Sequence, residues 1–248
     1  MAVSPYSNTP VSQWQAITSN LINQHPISRE ELLEIAILSW DRLWASEVGG
    51  EIRIDEVDLP ATVVGYFFQK LFSHELSIRY PNDWKGEELK SDKDLVHKRL
   101  PQFSTEMKAS GQLGYSLFGN RSYNQQSANM GASGKDKSGY YITLNFYGKT
   151  LTLLRLGWID QDDWIPQGAA TGQAAVLKPE VYTHKLVEIN GPYRNASPVE
   201  LLNGIGPKTL EEFHRNGVYT FFDIKSYQGP NTKILKIKTA NSSLLNSF

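Results

Sequence analysis

The stretch 94-DLVHKRLPQFSTEMKAS-110 decides how the chain is read. It reads as two strands joined by a short turn near Arg99–Pro101. Successive side chains along a strand point to opposite faces. Phe103, Thr105 and Met107 then lie on one face, and Ser104, Glu106 and Lys108 on the other. If the second strand folds back on the first, Asp94 comes to lie near Glu106, with eleven residues between them.

That pairing is chemically suggestive. Two carboxylates on adjacent strands offer hard oxygen ligands to a divalent cation that keeps several waters. The main-chain carbonyl of Met107 adds another ligand. A lysine beside them orients a water, or helps lower its pKa, for attack on a phosphodiester. The cation also neutralises charge that builds on the phosphate. Taken alone, Glu106-Met107-Lys108 fits an exposed strand ion pair equally well. The chain holds a second Glu-x-Lys, Glu88-Leu89-Lys90, within 84-WKGEELKSDKD-94. No alternation surrounds it and no acid stands a hairpin's length upstream, so it reads as solvated surface.

Upstream of Asp94 the period is helical. In 28-SREELLEIAILSWDRLW-44, Ser28 and Glu31 form a capping box and a broad apolar face follows. A second helix is expected in 57-VDLPATVVGYFFQKLFSHELSIRY-80, with Asp58 as cap and Pro60 in the first turn. Downstream, residues 118–139 are rich in Gly, Ser and Asn, a length of loop that is usually functional or disordered. A hairpin turning at Gly148-Lys149 follows in 140-YYITLNFYGKTLTLLRLGWI-159. Helices, then strands, then a mixed tail indicate an α/β (α+β) core.

The ends differ from the middle. Residues 1–27 read as an arm, loosely held, with a short helix around Trp14, Ile17 and Leu21. Residues 28–195 form the core. Residues 196–226 read as a separate helical hairpin: a helix from Ser197-Pro198, a tight turn at Gly204-Ile205-Gly206, and a helix from Pro207 to about Asn216. Residues 227–248 read as a basic tail, with KILKIK as an edge strand or a frayed end.

A chain of 248 residues accommodates one large domain with a small appendage. Cysteine is absent, which excludes disulfides and thiolate zinc sites and fits a reducing cytoplasm. No apolar run reaches the roughly 18–20 residues of a membrane span, and the N-terminus lacks the features of a signal peptide; the expected location is the cytoplasm. The net charge of −1 hides an asymmetry. Ser28–Lys93 holds 14 acidic against 8 basic residues, and Asp94–Arg155 holds 8 basic against 3 acidic. Such a distribution suits a phosphate-binding face, and equally the solvated sides of two elements.

Two further segments carry DNA-binding chemistry. The loop after Phe118 holds Asn120, Arg121, Asn124, Gln125 and Gln126. Arginine pairs with guanine, and Asn or Gln with adenine, in the major groove. Gly204 and Gly206 let backbone N–H groups approach a phosphate at the start of a helix, and Lys208 adds charge there. A plain helical hairpin, packed on the core or used between subunits, has the same sequence features. Asp160, Asp162 and Asp163 fit a capped turn better than a second metal site. The five histidines are scattered without metal-ligand spacing.

Asp94–Lys108 resembles the PD-(D/E)XK nuclease motif, with Lys93 where the motif has proline. The longer pattern EMKASG, FGNRSYNQ, KSGYYITLNFY, LRLGWIDQDDWI and ATGQAAVL is similar to the ScaI-type family of type II restriction endonucleases, over roughly residues 60–225. The resemblance implies a PD-(D/E)XK core with a mixed central sheet flanked by helices. It implies a Mg²⁺-dependent enzyme cutting double-stranded DNA at a short palindrome as a homodimer, since a two-fold site suits a two-fold protein. It makes Asp94 and Glu106 metal ligands and Lys108 the catalytic lysine. Some members of the superfamily add a glutamate from a helix N-terminal to the sheet; Glu75 is the candidate, with a paired or surface carboxylate as the alternative reading. Rival functions are a structure-directed DNA repair nuclease and a non-catalytic DNA-binding protein that works through its helical hairpin.

Overall fold

The computed structural model describes residues 3–120, 137–166 and 174–248. In chain order come α1 (Trp14–Gln24), α2 (Arg29–Ala45), a two-stranded ribbon β1 (Glu47–Val48) and β2 (Ile52–Arg53), and α3 (Ala61–Arg79). Next are β3 (Trp84–Gly86), β4 (Leu95–His97), β5 (Thr105–Gly111), β6 (Phe118–Asn120), β7 (Gly139–Tyr147) and β8 (Thr150–Ile159). Then follow β9 (Trp164–Pro166), β10 (Ala174–Leu177), α4 (Pro179–His184) and β11 (Leu186–Glu188). Four helices end the chain: α5 (Pro207–Arg215), α6 (Phe221–Ser226), α7 (Thr232–Ala240) and α8 (Ser242–Leu245).

Six strands form the central sheet, in the order β11-β8-β7-β5-β4-β3. β5 and β7 run parallel and the remaining neighbours antiparallel, so the sheet is mixed. Helices flank it, as the α/β reading expects. The alternation of β7 sets two layers. Ile142, Leu144 and Phe146 join Met107 in one core with α2 and α3, through Leu32, Ile35, Phe68 and Phe72. Tyr141 turns to a second core with Leu117, Trp164, Leu177 and Val181. Gly157 is where β8 meets the segment entering β11: a Cβ there would sit 1.9 Å from the carbonyl oxygen of Lys185.

The Ser28–Glu31 capping box forms as read. The second helix starts later than expected: Pro60 is its cap and Asp58 lies outside it. The turn after β4 contains a 3-10 segment, Pro101–Phe103, so β5 begins only at Thr105.

The arm is not loose. Tyr6, Ile22 and Ile27 are buried, and α1 packs on β8, α4 and β11. Lys185 Nζ donates to Asp160 Oδ2 at 2.8 Å and to both Asp163 oxygens at 2.8–2.9 Å. The same ammonium lies over the rings of Tyr6 and Trp14, 4.2 and 4.4 Å from their centroids, and Ser4 donates to Asp160. The aspartates thus cap a 3-10 turn and grip a lysine, with the arm folded over the ammonium. This cation was not visible to pattern reading because its partners are 22 and 25 residues away.

At the other end, the expected first helix of the hairpin is a single 3-10 turn, Val199–Leu201. KILKIK is neither strand nor frayed end. It lies in α7, because Asn231 caps it through the N–H groups of Lys233 and Ile234. Ile234 and Leu245 complete a core with Val199, Leu202, Phe213, Val218, Phe221 and Ile224. Residues 197–248 therefore share one hydrophobic cluster.

Candidate active site

β4 meets β5 through one registered pair, Leu95 opposite Thr105, before it diverges. One step along the antiparallel pair, Asp94 comes opposite Glu106. Asp94 Oδ2 accepts the N–H of Met107 at 2.7 Å, a charge-assisted bond that occupies the edge β4 has left. In an extended residue the N–H and C=O point to the same side, so the Met107 carbonyl also faces Asp94. Met107 puts its side chain into the α2–α3 core, and alternation sends Glu106 and Lys108 to the opposite face.

Asp94 and Glu106 are 7% and 4% exposed. Lys108 is half-buried; with Phe118 of β6 it borders an open cleft of about 280 Å³ that lies mainly on the α3 side of the sheet, against Thr62, Tyr66 and Gln69 of α3 and Met107, Ala109 and Leu144 of the strands. The two carboxylates opposite each other on the strand pair and the Met107 carbonyl are all hard oxygen donors. That set fits a small divalent cation that retains water, and does not fit zinc with nitrogen or sulfur ligands. Among the described residues no group of three or more His, Cys, Asp and Glu is placed to hold a metal.

The face carrying Lys108 is polar across the sheet. Register aligns Lys108 with Thr143 of β7 and Arg155 of β8. Arg155 is 4% exposed and donates to Asn145 Oδ1 at 2.9 Å and to the Tyr115 carbonyl at 3.1 Å. Burial holds its guanidinium below the usual range. Asn145 donates to the Ser116 carbonyl at 3.0 Å. Together they brace the segment 115–118 that leads into β6. The signal was present in the sequence: Arg155 stands inside the apolar run Leu153-Leu154-Arg155-Leu156.

His25 was also missed, because nothing around Gln24-His25-Pro26 marks it. Its Nε2 lies 3.1 Å from Thr105 Oγ1, beside Glu106 in β5. The Ile27 N–H reaches Nδ1 at 3.3 Å, and Thr105 Oγ1 donates to the Phe103 carbonyl at 2.8 Å. These bonds suit a neutral ring protonated on Nε2. Burial lowers its pKa to about 4.

Other candidates fall elsewhere. Glu75 is buried but ion-paired with Arg42 in the α2–α3 contact, on the Met107 side of the sheet and not with Asp94 and Glu106. Its acid among apolar residues marks a helix–helix pair. Glu88 of the second Glu-x-Lys bonds Lys85 at 2.5 Å beside an exposed Leu89, as solvated surface should. Asn120 ends β6, opposite Ala174 in register. Arg121, Asn124, Gln125 and Gln126 lie outside the described residues. Gly204 (φ +90°), Gly206 and Lys208 are exposed at the start of α5. That positive φ is one an L side chain rarely adopts. Among the described residues no helix is long and apolar enough to cross a membrane.

The chain belongs to the ScaI restriction endonuclease family, whose profile matches residues 4–190. By that membership it is a type II restriction endonuclease, and Asp94, Glu106 and Lys108 fall inside the matched span. Among curated proteins it is 31% identical over 196 residues to the type II restriction enzyme ScaI of Streptomyces caespitosus, covering 75% of this chain and 85% of that one. A solved restriction endonuclease in complex with substrate DNA aligns over 83% of this chain and 97% of its own, with a TM-score of 0.37 and 9% identity. Residues 197–248 lie beyond the family profile.

Proposed function

We propose that Asp94, Glu106 and Lys108 are the cleavage site of this restriction endonuclease, which cuts double-stranded DNA at a short palindrome in the cytoplasm as a homodimer. The observation that carries the reading is the Asp94 carboxylate set on the Met107 N–H, across the strand pair from Glu106 and on the edge beside Lys108.

The two carboxylates and the Met107 carbonyl would hold Mg²⁺. When bound, it supplies Lewis acidity at the scissile phosphate and a bound water of lowered pKa. The protein's part is placement. Asp94 is fixed by its bond to the β5 backbone, and Glu106 by its position in the sheet. Lys108, which alternation puts on the Glu106 face, orients the attacking water and stabilises negative charge on the phosphate. The water oxygen forms a bond to phosphorus and gives up a proton to solvent, while the bond to the leaving deoxyribose oxygen breaks and that oxygen takes up a proton from solvent.

Gly204, Gly206 and Lys208 grip the sugar–phosphate backbone, which positions a duplex without reading its sequence. Asn120, Arg121, Asn124, Gln125 and Gln126 supply donors and acceptors of the kind that read base edges. The Glu75–Arg42 pair leaves Glu75 a structural role.

The test is incubation of unmodified phage DNA with protein and Mg²⁺. Discrete fragments that disappear with chelator and with Glu106→Ala support the reading. Uncut DNA with well-folded wild type, or preferential cutting of branched substrates, contradicts it.

A further inference from the structure

β4 joins β5 through a single registered pair, so the ladder does little to hold the backbone of Asp94. The Asp94 side chain bonds Met107 on one side. On the other, the side chain of Lys93 crosses to the entry of β7 and donates from Nζ to the Ser138 carbonyl at 3.0 Å. Its ammonium lies 5.7 Å from the ring centroid of Tyr141. Tyr141 is the register partner of Glu106, so Lys93 spans β5 on the face that carries the carboxylates. Ser138 is itself held: its Oγ accepts the N–H of Gln161 at 3.0 Å. The anchor for Lys93 is thus a fixed point between β7 and the turn that follows β8.

We propose that Lys93 is a positioning residue for cleavage: by tying the Asp94 backbone to Ser138 it fixes the Asp94 carboxylate relative to Glu106. The nuclease motif has proline at this position, which restricts the backbone through its ring. Here a side-chain tether does the same work from outside the chain. A long amine is suited to it, because its charged head reaches the Ser138 carbonyl and lies toward the Tyr141 ring. Small misplacement of a reacting group is costly, up to about 10²-fold for ~1 Å.

The inference rests on Asp94 and Glu106 being the metal ligands. Its test uses full-length wild type, Lys93→Met, Lys93→Arg and Glu106→Gln, with two readouts: Tb³⁺ luminescence titration without DNA, and single-turnover cleavage at saturating Mg²⁺. Methionine keeps a long apolar side chain and removes the ammonium that makes the tether. Lys93→Met is expected to bind Tb³⁺ about tenfold more weakly and to cut about 10–10²-fold more slowly, with DNA affinity unchanged. Lys93→Arg, which can still donate to Ser138, is expected to recover most of both.

A mere charge effect would move the first readout the other way, since removing a cation beside two carboxylates strengthens metal binding. Tighter or unchanged Tb³⁺ binding in Lys93→Met overturns the proposal, and so does failure of Lys93→Arg to recover. If Glu106→Gln binds Tb³⁺ like wild type, the site assignment has failed, and the proposal with it. If Glu106→Gln loses binding and Lys93→Met does not, only the tether is refuted.

Discussion

His25 makes the nuclease core sensitive to acid, by an amount that follows from its surroundings. The ring is 6% exposed and packs among Trp84, Phe103 and Tyr140. Nδ1 lies 3.3 Å from both the N–H and the carbonyl of Ile27, and the carbonyl would accept a second ring proton. Burial outweighs that contact and lowers its pKa from 6.5 to about 4. A lowered histidine pKa means that the unfolded chain binds the proton first as pH falls. The stability it protects is complete above about pH 6.5 and is lost as pH drops toward 4. Linkage gives a loss of about 2.5 kcal/mol between roughly pH 7 and pH 4.5 from this group alone. His97 is also lowered by burial and contributes with the same sign. Carboxylates contribute too, but these groups are common to wild type and His25→Gln. Urea unfolding of both proteins at the two pH values isolates the His25 term. Wild type should lose about 2–3 kcal/mol more than the variant on acidification. Equal losses would mean that His25 is protonated in the fold, and that its link to Thr105 has been assigned the wrong proton.

Three further outcomes follow from the same contacts. Lys185→Met leaves Asp160 and Asp163 buried without their cation. It should cost about 3–5 kcal/mol in urea unfolding and release the N-terminal arm to limited proteolysis. Glu75→Gln breaks the ion pair with Arg42, whose side chain is 51% exposed, so stability should fall by no more than about 1 kcal/mol. Cleavage by Glu75→Gln at saturating Mg²⁺ should stay within about threefold of wild type, whereas a catalytic carboxylate would cost at least about 10²-fold. Lys208→Ala should weaken binding to all duplexes alike and lower the salt slope of DNA affinity by about 1, with the cleaved sequence unchanged.

The core was legible where local chemistry decides structure. Ser28 and Glu31 cap each other three residues apart, and the alternation around Glu106 survives folding because one face must enter the α2–α3 core. The placement of Asp94 was legible for the same reason, since a short antiparallel return leaves few registers. What escaped was set by distant partners. The arm is ordered by Lys185, and the turn at Asp160–Asp163 gives no local hint of that lysine. KILKIK shows isoleucines three apart that suit a helix as well as a strand, and the Asn231 cap and the hydrophobic cluster of residues 197–248 decide between them. Glu75 has helical spacing toward the core, but spacing does not say which neighbour it meets. Arg42 on α2 supplies that answer.

If the carboxylates and the lysine on one strand edge do the cutting, removing either kind of group stops the chemical step. Single-turnover cleavage of a duplex containing the wild-type cut site, by wild type, Glu106→Gln and Lys108→Met, tests it most directly, alongside their affinities for the same duplex in Ca²⁺. Rates should fall by at least about 10³-fold in both variants, with DNA affinity and melting temperature near wild type. Rates within about tenfold of wild type would contradict it, and would return Glu106-Met107-Lys108 to the surface of an ordinary strand.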